Sequence, residues 1–274
     1  LYCMTRTVVI VRILFLISIL FLCMSSSVQH VVNSLWDYLL SKEFFKSVYF
    51  ESFYAPLTYA VILILFGIIR MIERYDGYQI DIQSHLVPNK ERFSLQAILY
   101  LLPLLFLDTF TIKHFVNTPN RTDGFWFIFH WTSEQQIHRS LPLNAPFVWE
   151  IIAHSILATI IYDILFGITH FILHQIPLLY QYIHKMHHAH EHGVTPDFTA
   201  ELHYLETIPL VLEANFSLKL VNAHPLTRVI YIPILIFLFI DNHSGYDFPL
   251  NYDKLVPFNL MGGSRQHFIH HRKG

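Results

Sequence analysis

Long apolar stretches recur along this chain, and they constrain its fold more than any other feature. Residues 8–24, 56–72, 95–112 and 147–168 are each about as long as a membrane-spanning helix requires. Only 14% of the residues are charged, whereas a soluble domain carries roughly a quarter. The sequence therefore predicts an all-α integral membrane protein with about four transmembrane helices, and it excludes disorder, a coiled coil and collagen.

Two shorter apolar stretches follow at residues 207–220 and 226–240. Each is short for a full crossing at about 1.5 Å per residue, so we expect a helical hairpin that is re-entrant or tightly packed. No internal repeat or linker interrupts the chain. We divide it into an N-terminal anchor or signal-like segment (1–30), transmembrane helices and loops (31–146) and a histidine-rich region (147–274).

The first apolar stretch has two interpretations. Arg6 and Arg12 precede an apolar run that ends in three serines, as in a secretory signal peptide, whereas its length favours a spanning anchor. With an anchor, four crossings put the N-terminus and all residues after 168 on one side. The lysines and arginines of the loops favour that side as cytosolic. The glycosylation sequon at Asn120 then lies in a lumenal loop.

Histidine is unusually frequent, and 13 of the 19 histidines fall after residue 166. They form one HxxxH and two HxxHH motifs, with two single histidines between them: His170 and His174; His184, His187 and His188; His203; His243; His267, His270 and His271. On a helix, residues three or four apart share a face, so each motif points imidazoles at a common volume. One zinc ion needs three or four ligands, so this surplus predicts two metal ions. Nitrogen-rich coordination suits iron, zinc or copper.

For each of the other polar residues near these motifs, the sequence leaves two roles open. Glu201 and Glu206 flank His203, where they orient imidazoles or form a solvated face. Asp163 lies two helical turns before His170, where it orients a ligand or makes a helix-packing contact. We expect His224, in the turn of the hairpin, to have a structural role. The two cysteines, Cys3 and Cys23, exclude a disulfide framework and a cysteine-rich zinc module.

The order of the motifs after membrane helices resembles the fatty acid hydroxylase (sterol desaturase) superfamily of integral membrane di-iron enzymes. Residues 224–227 (HPLT), 241–249 (DNHSGYDFP) and 255–258 (LVPF) look like its cholesterol 25-hydroxylase branch. His203 departs from that branch, because a histidine at this place is found in sterol C4-methyl oxidases and C5-desaturases. Members of the superfamily continue through an aromatic-rich stretch beyond the last motif. The end of this chain at Gly274 therefore predicts a truncated C-terminus.

The resemblance implies a function for the histidine-rich region as the catalytic region of a lipid hydroxylase, with a sterol as the favoured substrate. It implies two iron ions, O2 as co-substrate, and electrons from NAD(P)H through cytochrome b5 and its reductase. It further implies the endoplasmic reticulum membrane, with the histidine motifs facing the cytosol. The net charge of −2 leaves no basic field for nucleic acid. The metal ligands that it implies are His170, His174, His184, His187, His188, His203, His243, His267, His270 and His271.

Other functions stay open at this point. A sterol C4-methyl oxidase, a C5-desaturase and a fatty acyl hydroxylase share the implied fold, and only the product distinguishes them. A zinc-binding membrane protein or a non-catalytic relative is the alternative from another class. A zinc metalloprotease would carry a general-base glutamate inside its motif, as in HExxH. The residues between the histidines here are Phe, Ile, Leu, Lys and Met, so the motifs disfavour a protease.

Overall fold

The computed structural model describes residues 6–72, 77–80, 138–188 and 194–273. This part of the chain is helical apart from two isolated β-bridges, which confirms the predicted all-α class. Two of the predicted features lie outside the described residues: the span at 95–112 and the sequon at Asn120.

We number the described helices in chain order. They are α1 (Arg6–Met24), α2 (Ser26–Leu40), α3 (Glu43–Lys46), α4 (Phe50–Arg70), α5 (Val148–Gln175), α6 (residues 177–188), α7 (Tyr204–Leu220), α8 (Pro225–Asn242), α9 (Tyr252–Leu255) and α10 (Ser264–Lys273). Helix α6 contains a π-helical turn at Tyr180–His184, and short 3₁₀ turns lie at Pro196–Ala200 and Pro257–Asn259.

Four of these helices, α1, α4, α5 and α8, are long and apolar enough to cross a membrane. Three correspond to predicted spans, but α5 continues to Gln175 and therefore carries the first histidine motif on the spanning helix itself. Helix α8 is also longer than the apolar run predicted. Pro225 occupies its first turn, where a missing N–H costs nothing, and the helix continues to Asn242.

Helices α7 and α8 form the predicted hairpin. Asn222 adopts a positive φ of 50° in the turn between them, a conformation that asparagine tolerates better than most residues. Helix α7 packs against α5, and α8 packs against α4. Tyr162, Leu218 and Tyr231 lie in the buried cluster that joins α5, α7 and α8. The hairpin is therefore tightly packed against the spans.

A buried ion cluster closes the end of the bundle at which α4 and α8 begin. Glu51 is 6% exposed, and its carboxylate contacts Arg139 Nη1 at 3.0 Å and Arg228 Nη2 at 2.7 Å. Arg228 precedes His243 by 15 residues on α8, so the cluster lies about 22 Å along that helix from the C-terminal end. The charge of buried Glu51 is therefore compensated by two arginines at this end of the bundle.

Candidate metal centre

Nine histidines meet at the opposite end of the bundle, where α5 and α8 end and where α6 and α10 cover them. They form two groups, and in each group the candidate ligand atoms all lie within 4.8 Å of one another. We call them the five-histidine group and the four-histidine group: His170, His174, His184, His188 and His270; and His187, His243, His267 and His271.

In the five-histidine group the Nε2 atoms form a connected chain of close contacts. His270 Nε2 lies 2.8 Å from His170 Nε2 and 3.2 Å from His174 Nε2. His184 Nε2 lies 3.0 Å from the Nε2 atoms of both His174 and His188. Five nitrogens from three helices therefore converge on one small volume.

The four-histidine group has the same arrangement around His243, which caps the C-terminus of α8. His243 Nε2 lies 3.4 Å from His187 Nε2 and 3.0 Å from His267 Nε2. His271 Nε2 is 3.0 Å from His267 Nε2. Four nitrogens from α6, α8 and α10 thus share a second small volume.

Helix α6 contributes to both groups because of the HxxHH spacing. His184 and His188 are four residues apart and share one face, whereas His187 is rotated by about 100° from His188 and points to the other group. Helix α10 repeats this division, with His267 and His271 on one side and His270 on the other. The predicted geometry of the motif, two imidazoles on one face and a third offset, is confirmed.

Hydrogen bonds at Nδ1 orient two of the imidazoles. His184 Nδ1 lies 2.8 Å from Glu206 Oε1, and both side chains are buried. His243 Nδ1 lies 2.9 Å from the carbonyl oxygen of Phe239. Because a carboxylate and a carbonyl only accept, each Nδ1 carries the proton and each Nε2 keeps its lone pair. Of the two interpretations of Glu206, the orienting one is confirmed.

Burial favours the neutral form of other imidazoles in the two groups, those of His187, His188, His267 and His270. Desolvation, followed by the proximity of the other imidazoles, lowers the pKa of His187 and of His267 well below the ordinary value. The same causes lower the pKa of His188 to about 3 and also lower the pKa of His270. A neutral imidazole is the form that binds a metal ion, since protonation removes the lone pair.

The donor sets fit one metal ion per group. Nitrogens bound to one ion at about 2.1 Å lie at most about 4.2 Å apart, which is close to the 4.8 Å within which each group falls. The lone pairs of His184 and His243 point at neighbouring Nε2 atoms, an arrangement that a shared cation would stabilise. Imidazole ligands suit iron, zinc and copper.

His203 lies outside both groups. It is the N-cap of α7, where its Nδ1 accepts a hydrogen bond from the backbone N–H of Leu205 at 3.2 Å. His224 caps α8 in the same way, by accepting from Leu226 N–H at 3.0 Å, so its predicted structural role is confirmed. Capping satisfies a backbone donor that the helix itself leaves free.

A cavity between α5, α7 and α8 reaches both groups. Its walls include His170 of the five-histidine group and His187, His243 and His267 of the four-histidine group. Most of the remaining wall surface is apolar, and its polar side chains are those of Thr159, Tyr162, Asp163, Thr199, Glu206, Asn242 and Tyr252. Candidate ligands thus line one end of a largely apolar cavity, which is the usual form of a small-molecule site.

Comparison with known proteins shows which family the chain is similar to. The sequence profile of the fatty acid hydroxylase family matches residues 155–274. The histidine-rich region is therefore similar to this family along almost its whole length. Cholesterol 25-hydroxylase of Mus musculus is 27% identical over 251 residues, which cover 89% of this chain and 77% of that protein. Cholesterol 25-hydroxylase of Homo sapiens is 27% identical over 90% of this chain and 85% of its own length.

A cholesterol 25-hydroxylase-like protein of Danio rerio is 30% identical over 47% of this chain and 51% of that protein. No solved structure matches the chain. The predicted resemblance to this superfamily and to its cholesterol 25-hydroxylase branch is therefore confirmed. The hydroxylase is an oxidoreductase, and with its four apolar helices it is a multi-pass membrane protein.

The division of the nine histidines into two groups could not be predicted. The motifs show which residues share a helix face, but His170 and His270 are 100 residues apart and meet only through tertiary packing. The carbonyl of Phe239 was also missed, because any backbone carbonyl can orient an imidazole and no side chain signals it.

Proposed function

We propose that this hydroxylase is a membrane di-iron enzyme that uses O2 to hydroxylate a lipid, with a sterol as the favoured substrate. The observation that supports it best is the pair of histidine groups at one end of a largely apolar cavity. The names of the relatives, cholesterol 25-hydroxylases, support a sterol. The region 147–274 is then the catalytic region, and residues 1–30 are an anchor or signal-like segment.

The proposed ligands are the nine grouped histidines, while His203, the tenth predicted ligand, caps α7. Two iron ions bound there would supply the O2 activation that oxidation of an unactivated C–H bond requires. Neutral imidazoles hold the metals without adding negative charge next to lipid, where an uncompensated charge is costly. His184 is held in its ligand tautomer by Glu206. The apolar walls around Phe166 and Phe239 position the lipid and exclude water.

The reaction needs two electrons from outside the chain. We propose cytochrome b5 and its reductase as the donors, with NAD(P)H as the ultimate source. We place the protein in the endoplasmic reticulum membrane with both histidine groups facing the cytosol, where those donors are found. The positive charges in the loops on that side support this orientation.

Untargeted lipid mass spectrometry under labelled O2 tests the proposal. Microsomes expressing the chain would be compared with microsomes expressing His187→Asn, both supplied with iron and a reductase system. We expect a sterol that is heavier by one labelled oxygen, formed only by the unchanged chain. A product lighter by two hydrogens would identify the enzyme as a desaturase. Oxidation of a C4-methyl group or of an acyl chain would identify it as a sterol C4-methyl oxidase or a fatty acyl hydroxylase.

If no lipid differs between the two samples although iron is bound, the hydroxylase proposal is wrong. A protein that retains zinc and no iron under the same supply would favour the zinc-binding alternative. Iron content measured in the same preparations separates these two outcomes, because it does not depend on finding the substrate.

A further inference from the structure

The segment between α9 and α10 carries large apolar side chains that are exposed at the end of the bundle where the histidine groups lie. Phe258 is 87% exposed and Leu260 is 69% exposed. No charged residue occurs from Leu255 to Met261. An exposed apolar surface is found where a protein contacts a partner, a ligand or a membrane. We call residues 256–260 the apolar segment, and its surroundings indicate which of these it contacts.

The backbone of the apolar segment is strained at Phe258. Phe258 has a φ of 65° and Asn259 has a φ of 55°. Asparagine adopts such values readily, whereas a bulky residue such as phenylalanine rarely does. Backbone strain of this kind persists where the surrounding structure imposes it, and it is concentrated at functional sites. Burial of the Phe258 side chain against an apolar partner would offset part of this cost.

Helix α1 determines the depth of the apolar segment in the membrane. Arg12 Nη2 donates hydrogen bonds to the backbone carbonyl oxygens of Lys254 at 2.5 Å and of Val256 at 3.4 Å. Arg12 lies six residues after the start of α1, which is about 9 Å along the helix. The segment therefore begins beside apolar residues of α1 and not beyond the end of that helix.

Helix α1 is aligned with the other spanning helices. Its C-terminal end leads into α2, where Gln29 Oε1 accepts a hydrogen bond from the backbone N–H of Val148 at 3.0 Å, at the start of α5. Because Arg12 contacts the other end of the bundle, α1 runs along the bundle from one end to the other. A bilayer that surrounds the spanning helices therefore also surrounds the neighbourhood of Arg12.

The apolar segment is also connected to the wall of the cavity. Tyr252 precedes it, Met261 and Gly262 follow it, and all three line the cavity that reaches both histidine groups. The segment contacts α1 through the carbonyl of Val256. It therefore joins the cavity wall to the surface beside a spanning helix, which is where a lipid would pass from the bilayer to the histidines.

We propose that the apolar segment inserts into the bilayer beside α1 and forms the entrance through which a lipid reaches the cavity. Hydrocarbon suits the segment because it contains no charged side chain, and the ammonium group of the neighbouring Lys254 is paired with Asp247. A water-soluble protein partner would leave Phe258 exposed to water whenever it dissociated, which is unfavourable. The entrance rests on the proposed function only for the statement that the lipid is then oxidised.

Spin-label accessibility in nanodiscs measures whether the segment is inserted. A nitroxide is attached through Phe258→Cys or, as the control, through Lys273→Cys at an exposed position of α10. Both are made in the full chain with Cys3→Ala and Cys23→Ala. We expect the label at 258 to collide mainly with O2, which concentrates in hydrocarbon. The label at 273 should collide mainly with a water-soluble nickel complex.

Two outcomes of this measurement would overturn the proposal. Equal access of the nickel complex to both positions would place Phe258 in water and leave a protein as its partner. Protection of position 258 from both O2 and the nickel complex would show that another part of the chain covers it.

A photoreactive sterol tests the entrance without turnover. It is delivered to nanodiscs from cyclodextrin, and its rate of cross-linking to Leu235 or Phe239 in the cavity wall is followed by mass spectrometry of the tryptic peptide 229–254. Cross-linking to peptide 13–42, which includes exposed residues of α1, reports arrival of the sterol in the bilayer. We expect Phe258→Asp to slow labelling of the cavity wall by about tenfold, because withdrawing a phenylalanine from hydrocarbon changes an equilibrium constant by about that factor.

Two variants serve as controls for the entrance. Phe258→Leu keeps an apolar side chain at the same position, and Leu143→Asp adds the same charge at an apolar residue that is 86% exposed before α5. Both should keep the rate of the unchanged chain. Aspartate tolerates a positive φ, so Phe258→Asp does not add strain to the turn. An unchanged rate in Phe258→Asp, or an equal slowing in either control, would show that the segment is not the entrance.

Failure of this proposal and failure of the proposed function are distinguishable. If no lipid is oxidised but Phe258→Asp slows labelling of the cavity wall, the entrance stands and the hydroxylase proposal fails. If a sterol is oxidised and Phe258→Asp leaves the labelling rate unchanged, the hydroxylase proposal stands and the entrance fails.

Discussion

His187 and His203 have different surroundings, although both were predicted as metal ligands. His187 is 4% exposed and belongs to the four-histidine group, whereas His203 caps α7 outside both groups. We expect His187→Asn to lower the iron content towards one ion per chain and His203→Asn to leave it at two. Asparagine is a good N-cap, so it preserves the helix end at position 203. Metal analysis of the purified variants checks this.

Equal metal loss in the two variants would contradict the separation of His203 from the groups. Unchanged metal in His187→Asn would contradict the four-histidine group itself. Both variants replace a histidine with an asparagine, so a general effect of losing an imidazole would appear in both.

Glu206 acts on the metal centre through His184. Glu206→Gln keeps a hydrogen-bond acceptor but removes the charge that favours the Nδ1–H tautomer. We expect metal affinity to fall by about 10- to 100-fold, as measured by competition with a chelator of known affinity. Glu201→Gln, a nearby substitution outside both groups, should leave the affinity unchanged. A similar loss in both variants would show that Glu206 only supports the local fold.

The lowered histidine pKa values predict a pH dependence for the metal-free protein. Below about pH 6.5 the unfolded chain binds protons at these histidines, whereas folded His187 and His267 stay neutral and His188 titrates only at about 3. The unfolded state then holds more protons, so the free energy of unfolding should fall as pH drops from 7 to 5. Each histidine contributes at most about 1.4 kcal/mol per pH unit to this fall in the free energy of unfolding.

Denaturant unfolding of the metal-free protein at several pH values measures the slope of the free energy against pH. The His187→Asn variant should have a shallower slope. A free energy of unfolding that does not depend on pH would contradict the prediction.

The individual ligands of the site were more predictable from sequence than their grouping. The nine grouped histidines were all predicted, since HxxxH and HxxHH require only local helical geometry. His203 was included by resemblance, and the capping contact that occupies it depends on where α7 begins. Which group each histidine joins depends on how α10 packs against α5 and α6, which no local pattern encodes.

At the scale of helices, the entry to α10 requires Gly263. A Cβ at this position would lie 2.5 Å from Asp253 Cγ, whereas a Cβ at Gly262 would make only an ordinary contact of 3.8 Å with Gln266. We expect Gly263→Ala to displace α9 or α10 and to reduce both metal content and thermal stability. Gly262→Ala is the matched control and should fold normally. Equal stability of the two variants would contradict the close approach of α9 to α10.

Helix boundaries departed from the sequence prediction where tertiary contacts extend a helix. The second span was predicted to begin at Pro56, but α4 begins at Phe50. Its first turn is stabilised by the ion pairs of Glu51 and by packing of Phe50 against Phe45 and Trp36. The two arginine partners of Glu51 come from distant parts of the chain. The apolar run alone therefore marked only the part of the helix that is compatible with lipid.

At the scale of the whole molecule, the predicted orientation can be tested with the sequon at Asn120. If the histidine groups face the cytosol, Asn120 is lumenal and should carry an N-glycan in microsomes. A glycosidase-sensitive shift in mobility should disappear in Asn120→Gln and persist in Asn117→Gln, since Asn117 is followed by Thr118 and Pro119 and is not a sequon. A glycan that is independent of Asn120 would contradict this topology.

The overall architecture was predictable because membrane spans and a hairpin are specified by apolar length. The ion cluster at the end of the bundle where α4 and α8 begin was not predictable. It consists of Glu51, Arg139 and Arg228, and it joins residues up to 177 positions apart. Single charged residues in a sequence do not reveal which of them will pair.

Helices α6 and α10 each contribute histidines to both groups, and this arrangement affects how the protein matures during synthesis. Neither histidine group is complete until α10 has left the ribosome, since His270 completes one group and His267 and His271 complete the other. The spans and the hairpin are by then already synthesised, so they precede the completion of both groups. If each group binds a metal ion as proposed, its full set of ligands is available only late in biogenesis, and docking of a single helix completes both sets together.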